Sequence, residues 1–77
     1  MLDQRLIDSV SRACNIEPED ITQETSQANT PTWDSLAQLK LVFEIEDAFG
    51  VRLSSQEIPE VTSITRLQEV LARYQAI

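Results

Sequence analysis

The stretch "TWDSLAQL", residues 32–39, places a serine directly after an aspartate at the start of an amphipathic run. A serine there can cap a helix, attack a substrate as a nucleophile, or serve as a point of covalent attachment. Nucleophilic catalysis needs a base within reach of Ser35, and the sequence has no histidine. Lys40 is the one lysine, and at about 100° per residue it points well away from Ser35. "DSL" also occurs in serine esterases with a Gly-Asp-Ser-Leu signature, but Trp33 stands where that glycine would be. Catalysis by this chain alone is therefore not expected. The cap and the attachment point remain as alternatives.

Other chemistries find little support. The lone cysteine, Cys14, has no partner for an internal disulfide and no histidine with which to build a metal site or an activated thiol. It reads as a small apolar residue on a helix face. The single glycine, Gly50, excludes a glycine-rich phosphate loop, and the acidic loop lacks the ligand spacing of a calcium-binding EF-hand. No metal site is expected.

A net charge of −7 argues against nucleic-acid and anionic-membrane partners. The whole excess lies in residues 15–47, which hold Glu17, Glu19, Asp20, Glu24, Asp34, Glu44, Glu46 and Asp47 against Lys40 alone. Such concentration around one helix and the loop before it suggests a docking surface for basic partners. The longest apolar run is Leu41-Val42-Phe43, far short of the roughly 20 residues of a membrane span. The first residues lack the apolar stretch of a secretory signal, so a cytoplasmic protein is expected.

These residues must be positioned by a small all-α domain spanning 1–77. Leu2, Leu6, Val10 and Ala13, with Ile7 and Cys14 beside them, repeat at helical spacing and predict a first helix ending near Asn15. The stretch "IEPEDITQETSQANTPT" is too rich in turn formers for regular structure, and Ile16 and Ile21 are its candidate anchors. A second helix begins at Asp34 or Ser35, with Asp34 suited to the N-cap, and ends at Gly50. At most a short helical turn is expected around Ser55 to Ile58, given Pro59. Thr62 or Ser63 then caps a last helix carrying Ile64, Leu67, Val70, Leu71 and Tyr74. The result is a three- to four-helix bundle with a long loop between helices 1 and 2.

The second helix carries two apolar stripes. Leu41, Val42, Ile45, Ala48 and Phe49 form a normal core face. Leu36, Leu39 and Phe43 fall on roughly the opposite side, with Lys40 and Asp47 on one flank and Glu46 on the other. Either the crossover loop folds over Leu36 and Leu39, or the stripe is a partner site. The charged flanks favour the partner site.

"WDSLAQLKLVFEIEDAFGVRL" resembles the central segment of acyl carrier proteins and related carrier domains, and "EIPEVTSITRLQEVL" is similar to the rest of their pattern, a short third helix followed by a capped fourth. The resemblance runs over nearly all 77 residues. It implies that Ser35 is esterified by 4′-phosphopantetheine from coenzyme A, placed there by a phosphopantetheinyl transferase, with Asp34 and Leu36 completing the motif. It further implies a monomer that is not itself an enzyme and that carries an acyl or aminoacyl group as a thioester between a loading ligase and acyl-transferring enzymes. By the same resemblance, Leu36, Leu39, Phe43, Glu46 and Asp47 form the recognition face, and Lys40 is added to it here. Trp33, beside the attachment site, either joins that face by contacting the arm or a partner, or shields the core as a loop residue. Thr32 stands where many carriers have glycine, and Ala37 and Lys40 stand where acids are common. Those departures suggest a stand-alone carrier of a specialised pathway, in polyketide, nonribosomal peptide or sugar acylation chemistry. The alternative from another class is an unmodified helical adaptor whose acidic helix binds a basic partner.

Overall fold

The computed structural model describes residues 2–77. Three helices make up the frame: α1 (Gln4–Cys14), α2 (Ser35–Phe49) and α3 (Ile64–Arg73). Among the described residues there is no strand, only an isolated bridge between Ser26 and Ser63. Among the described residues no helix is long and apolar enough to cross a membrane.

Each helix is delimited by its own chemistry. Asp3 caps α1 by accepting the Arg5 N–H at 2.8 Å, and Asn15 ends it in the left-handed conformation at φ 55°. Asparagine is among the few non-glycine residues that tolerate that region. Asp34 caps α2, and Gly50 closes it at φ 65° with its N–H returned to the Glu46 carbonyl. Ser63 caps α3, its Oγ accepting the Arg66 N–H at 3.0 Å.

The helices meet along Leu6, Val10 and Cys14 of α1, Ala37, Leu41, Val42 and Ile45 of α2, and Ile64, Leu67, Val70 and Leu71 of α3, all buried. Arg5 lies over the Phe49 ring, 4.4 Å from its centroid, and covers the far end of α2. The expected core stripe of α2 is present, with Ala48 and Phe49 only partly buried and Ala37 an additional member.

The crossover holds two 3-10 turns, Pro18–Asp20 and Gln27–Asn29. It folds against the start of α3 and away from the second stripe of α2. The Gln27 N–H donates to the Thr62 carbonyl at 2.8 Å, and the Ile64 N–H donates to the Thr25 carbonyl at 3.0 Å. Gln23 adds bonds to Thr65 and Gln68, and Ile21 is buried as an anchor. The short third helix implied by the carrier resemblance is a single 3-10 turn, Ile58–Glu60, continuing a turn over 55–57. Pro59 sits in the first positions of that turn, where its missing N–H breaks no helical hydrogen bond.

The end of α3 is bolted to that segment through Glu57. Its carboxylate accepts the Ser54 N–H at 2.9 Å and the Tyr74 hydroxyl, with Arg73 3.6 Å away. These donors, the Ser54 amide foremost, hold the carboxyl below its ordinary value of 4.5. A carboxyl depressed by folding stabilises the fold above its unfolded value, and that contribution is lost as pH falls through the folded one. Glu57→Gln is therefore expected to weaken the fold at neutral pH and to do so less as pH falls. Urea unfolding at pH 7 and at about pH 3 checks this, and an equal gap at both would contradict it.

Candidate functional site

The start of α2 separates capping from attachment. The Asp34 Oδ1 accepts the Ala37 N–H at 2.9 Å, so the cap is supplied by the aspartate. Ser35 is the first helical residue and is exposed, and its hydroxyl makes no hydrogen bond among the described residues. The Ser35 and Leu36 amides belong to the unpaired first turn, at the positive end of the helix dipole. A phosphodiester on the Ser35 Oγ fits this arrangement, since it would sit in solvent beside free N–H donors. Asp34→Ala is expected to cost about 1 kcal/mol by releasing the Ala37 amide. Asp34→Asn should recover most of it in denaturant titration, and no loss on Asp34→Ala would contradict the cap.

Burial separates the two readings of Trp33: at 1 % exposed it shields the core, which corrects its placement on the partner surface. It occupies the position before the cap, and its Nε1–H donates to the Gln38 Oε1, four residues into the helix, at 2.7 Å. This is a polar counterpart of the hydrophobic staple that fixes how a chain enters a helix. Gln38 in turn donates through Nε2 to the Ile58 and Val61 carbonyls at 2.9 and 3.0 Å. Trp33 and Gln38 thus position Ser35 by locking the start of α2 to the 58–61 segment. Sequence reasoning passed over Gln38, whose only signal is its spacing from Trp33.

The second stripe stands clear of the protein. Leu36 is 61 % exposed, Leu39 52 % and Phe43 62 %. Lys40 and Asp47 are exposed beside it. Glu46 is half-buried, and its Oε2 accepts the Leu53 N–H at 2.9 Å, so one of its oxygens is already engaged within the fold. Glu44 pairs with Arg12 of α1 at 3.1 Å. The acidity expected of this helix is thus partly consumed inside the fold, and Glu17, Glu19, Asp20 and Glu24 of the crossover supply much of the rest.

Cys14 is buried between α1 and α2, and burial, with the nearby Asp34 carboxylate adding to it, pushes its thiol up to about 11. It is a packing residue of low reactivity. No group of three or more metal-capable side chains converges among the described residues.

A family model described as "Phosphopantetheine attachment site" matches residues 4–71. An acyl carrier protein of Rubrobacter xylanophilus is 22 % identical over 72 residues, covering 94 % of this chain and 89 % of that protein.

Proposed function

The chain belongs to the phosphopantetheine attachment-site family of carrier proteins, and on that premise we propose that Ser35 bears the 4′-phosphopantetheine arm and that the protein carries an acyl group on it. The observation that supports Ser35 is its exposed, unbonded hydroxyl at the first position of a helix whose cap is made by its neighbour. In the transfer, the Ser35 Oγ forms a bond to phosphorus as the pyrophosphate P–O bond of coenzyme A breaks. Adenosine 3′,5′-bisphosphate leaves, and the hydroxyl proton passes to a base on the transferase. Once attached, the arm supplies a terminal thiol that holds an acyl or aminoacyl group as a thioester.

The chain's own part is to hold and present. Asp34 and the Trp33–Gln38 pair fix the direction of α2, and the first-turn amides face the phosphodiester. Leu36, Leu39 and Phe43 offer a small apolar patch for transient docking, where charge mainly speeds encounter. The partners are a phosphopantetheinyl transferase, a loading ligase and acyl-transferring enzymes, which meet a cytoplasmic monomer. Chemistry resides in those enzymes, and the carrier contributes none. The cation at Lys40 favours a dedicated carrier of a specialised pathway over one serving general fatty-acid synthesis.

The test is loading with acetyl-coenzyme A by a promiscuous transferase, followed by hydroxylamine. One acetyl-phosphopantetheinyl mass increment is expected, from which hydroxylamine removes the acetyl group alone. No increment on folded protein would overturn the carrier reading in favour of an unmodified adaptor.

A further inference from the structure

The charged residues of α2 divide into those the fold uses and those it leaves free. Asp34 holds the Ala37 amide, Glu44 pairs with Arg12, and Glu46 holds the Leu53 amide. Lys40 and Asp47 remain. Both are exposed, and neither has an ion-pair partner among the described residues. Seven residues is just under two helical turns, so the two charges lie on the same flank, about 10 Å apart along the axis. Lys40 shares a shallow cleft with Asp34 and Leu36, at the Ser35 end of the exposed stripe. Asp47 shares another with Phe43 and Gly50, at the far end.

The geometry points to a direction-setting docking surface: Lys40 and Asp47 orient a partner along α2, and that partner rims an apolar depression with a carboxylate toward the Ser35 end and a basic group toward the Gly50 end. This rests on the carrier reading and goes beyond it. An apolar stripe of Leu36, Leu39 and Phe43 binds equally well in either direction. A carrier docked backwards would hold its attachment site at the wrong end of the partner. Opposite charges at the two ends of one flank remove that ambiguity, because the reversed pose sets like charges together. Arg52 lies in the far cleft without pairing with Asp47 and softens the negative end, so the Lys40 contact carries the larger share. At physiological salt the Debye length is about 8 Å, so these contact charges decide the pose over the overall negative charge of the chain. The partner surface this fits is of mixed sign, in contrast to the uniformly basic patch that the net charge of −7 would suggest.

Two helical peptides provide the probe. They share a leucine stripe and differ only in whether Glu precedes Lys or follows it seven residues later on one flank, and each carries a nitroxide at its N-terminus. With transferase-modified protein labelled with nitrogen-15, the Glu-first peptide should broaden the Leu36 and Lys40 amides, and the Lys-first peptide those of Phe43 and Asp47. An orientation preference of about tenfold is expected from two exposed pairs made or opposed. In the Lys40→Glu, Asp47→Lys double variant both patterns should exchange ends. Broadening at the same end whatever the charge order, or no broadening of the stripe by either peptide, would overturn the inference. Failure of the transferase to modify the protein would instead overturn the carrier reading, which separates the two.

Discussion

Trp33→Ala is expected to destabilise the protein by about 3–5 kcal/mol, the range for removing a large aromatic residue from a core. Trp33 is among the largest fully buried side chains. Its loss also leaves the Gln38 amide without the donor that orients it toward the Ile58 and Val61 carbonyls. A domain of 77 residues has roughly 4–12 kcal/mol of stability in total, so the substitution removes between about a quarter and all of it. Trp33→Phe separates the two contributions. It keeps most of the apolar volume and removes the indole donor together with the pyrrole part of the ring, at about 1–3 kcal/mol. Urea titration followed by circular dichroism measures both. A loss below about 1 kcal/mol for Trp33→Ala would contradict the structural role given to this residue.

That role marks a limit of what the sequence could show. Helix ends were legible because local chemistry writes them: Asn15 and Gly50 accept the left-handed conformation, and Asp34 and Ser63 present a short side chain to the first turn. The exposed stripe was legible as a periodicity, although periodicity alone left two ways to satisfy it. The crossover loop settled the matter by bonding to Thr62 and Ile64, partners 35 and 39 residues away that no local pattern reveals. Trp33 sits in a loop, where no repeat distinguishes a buried aromatic from an exposed one. The engagement of Glu44 and Glu46 depends on Arg12 and Leu53 arriving opposite them. Summed charge therefore overstated the acidity that α2 presents to a partner. The motif names Ser35 as the candidate site, whereas Gln38, which ties the start of α2 to the 58–61 segment, carries no sequence signal beyond its spacing from Trp33.

Ser35→Ala is expected to abolish modification altogether while leaving stability within about 0.5 kcal/mol of wild type. The two effects separate because the hydroxyl makes no bond within the protein and the cap belongs to Asp34. Alanine is also a good helix former at this first position. A cap serine would behave in the opposite way, losing stability with no bearing on any transferase. Ser63 illustrates that class, its hydroxyl accepting the Arg66 N–H. Cys14 does not blur the result, since its buried thiol is a poor competitor for the reactive arm.

The most direct measurement is intact mass, with peptide mapping, after incubation of wild type and Ser35→Ala with coenzyme A and a promiscuous phosphopantetheinyl transferase. The account predicts a single phosphopantetheinyl increment on wild type, mapped to Ser35, and none on the folded variant. An increment that survives in Ser35→Ala, or its absence from folded wild type, would contradict it.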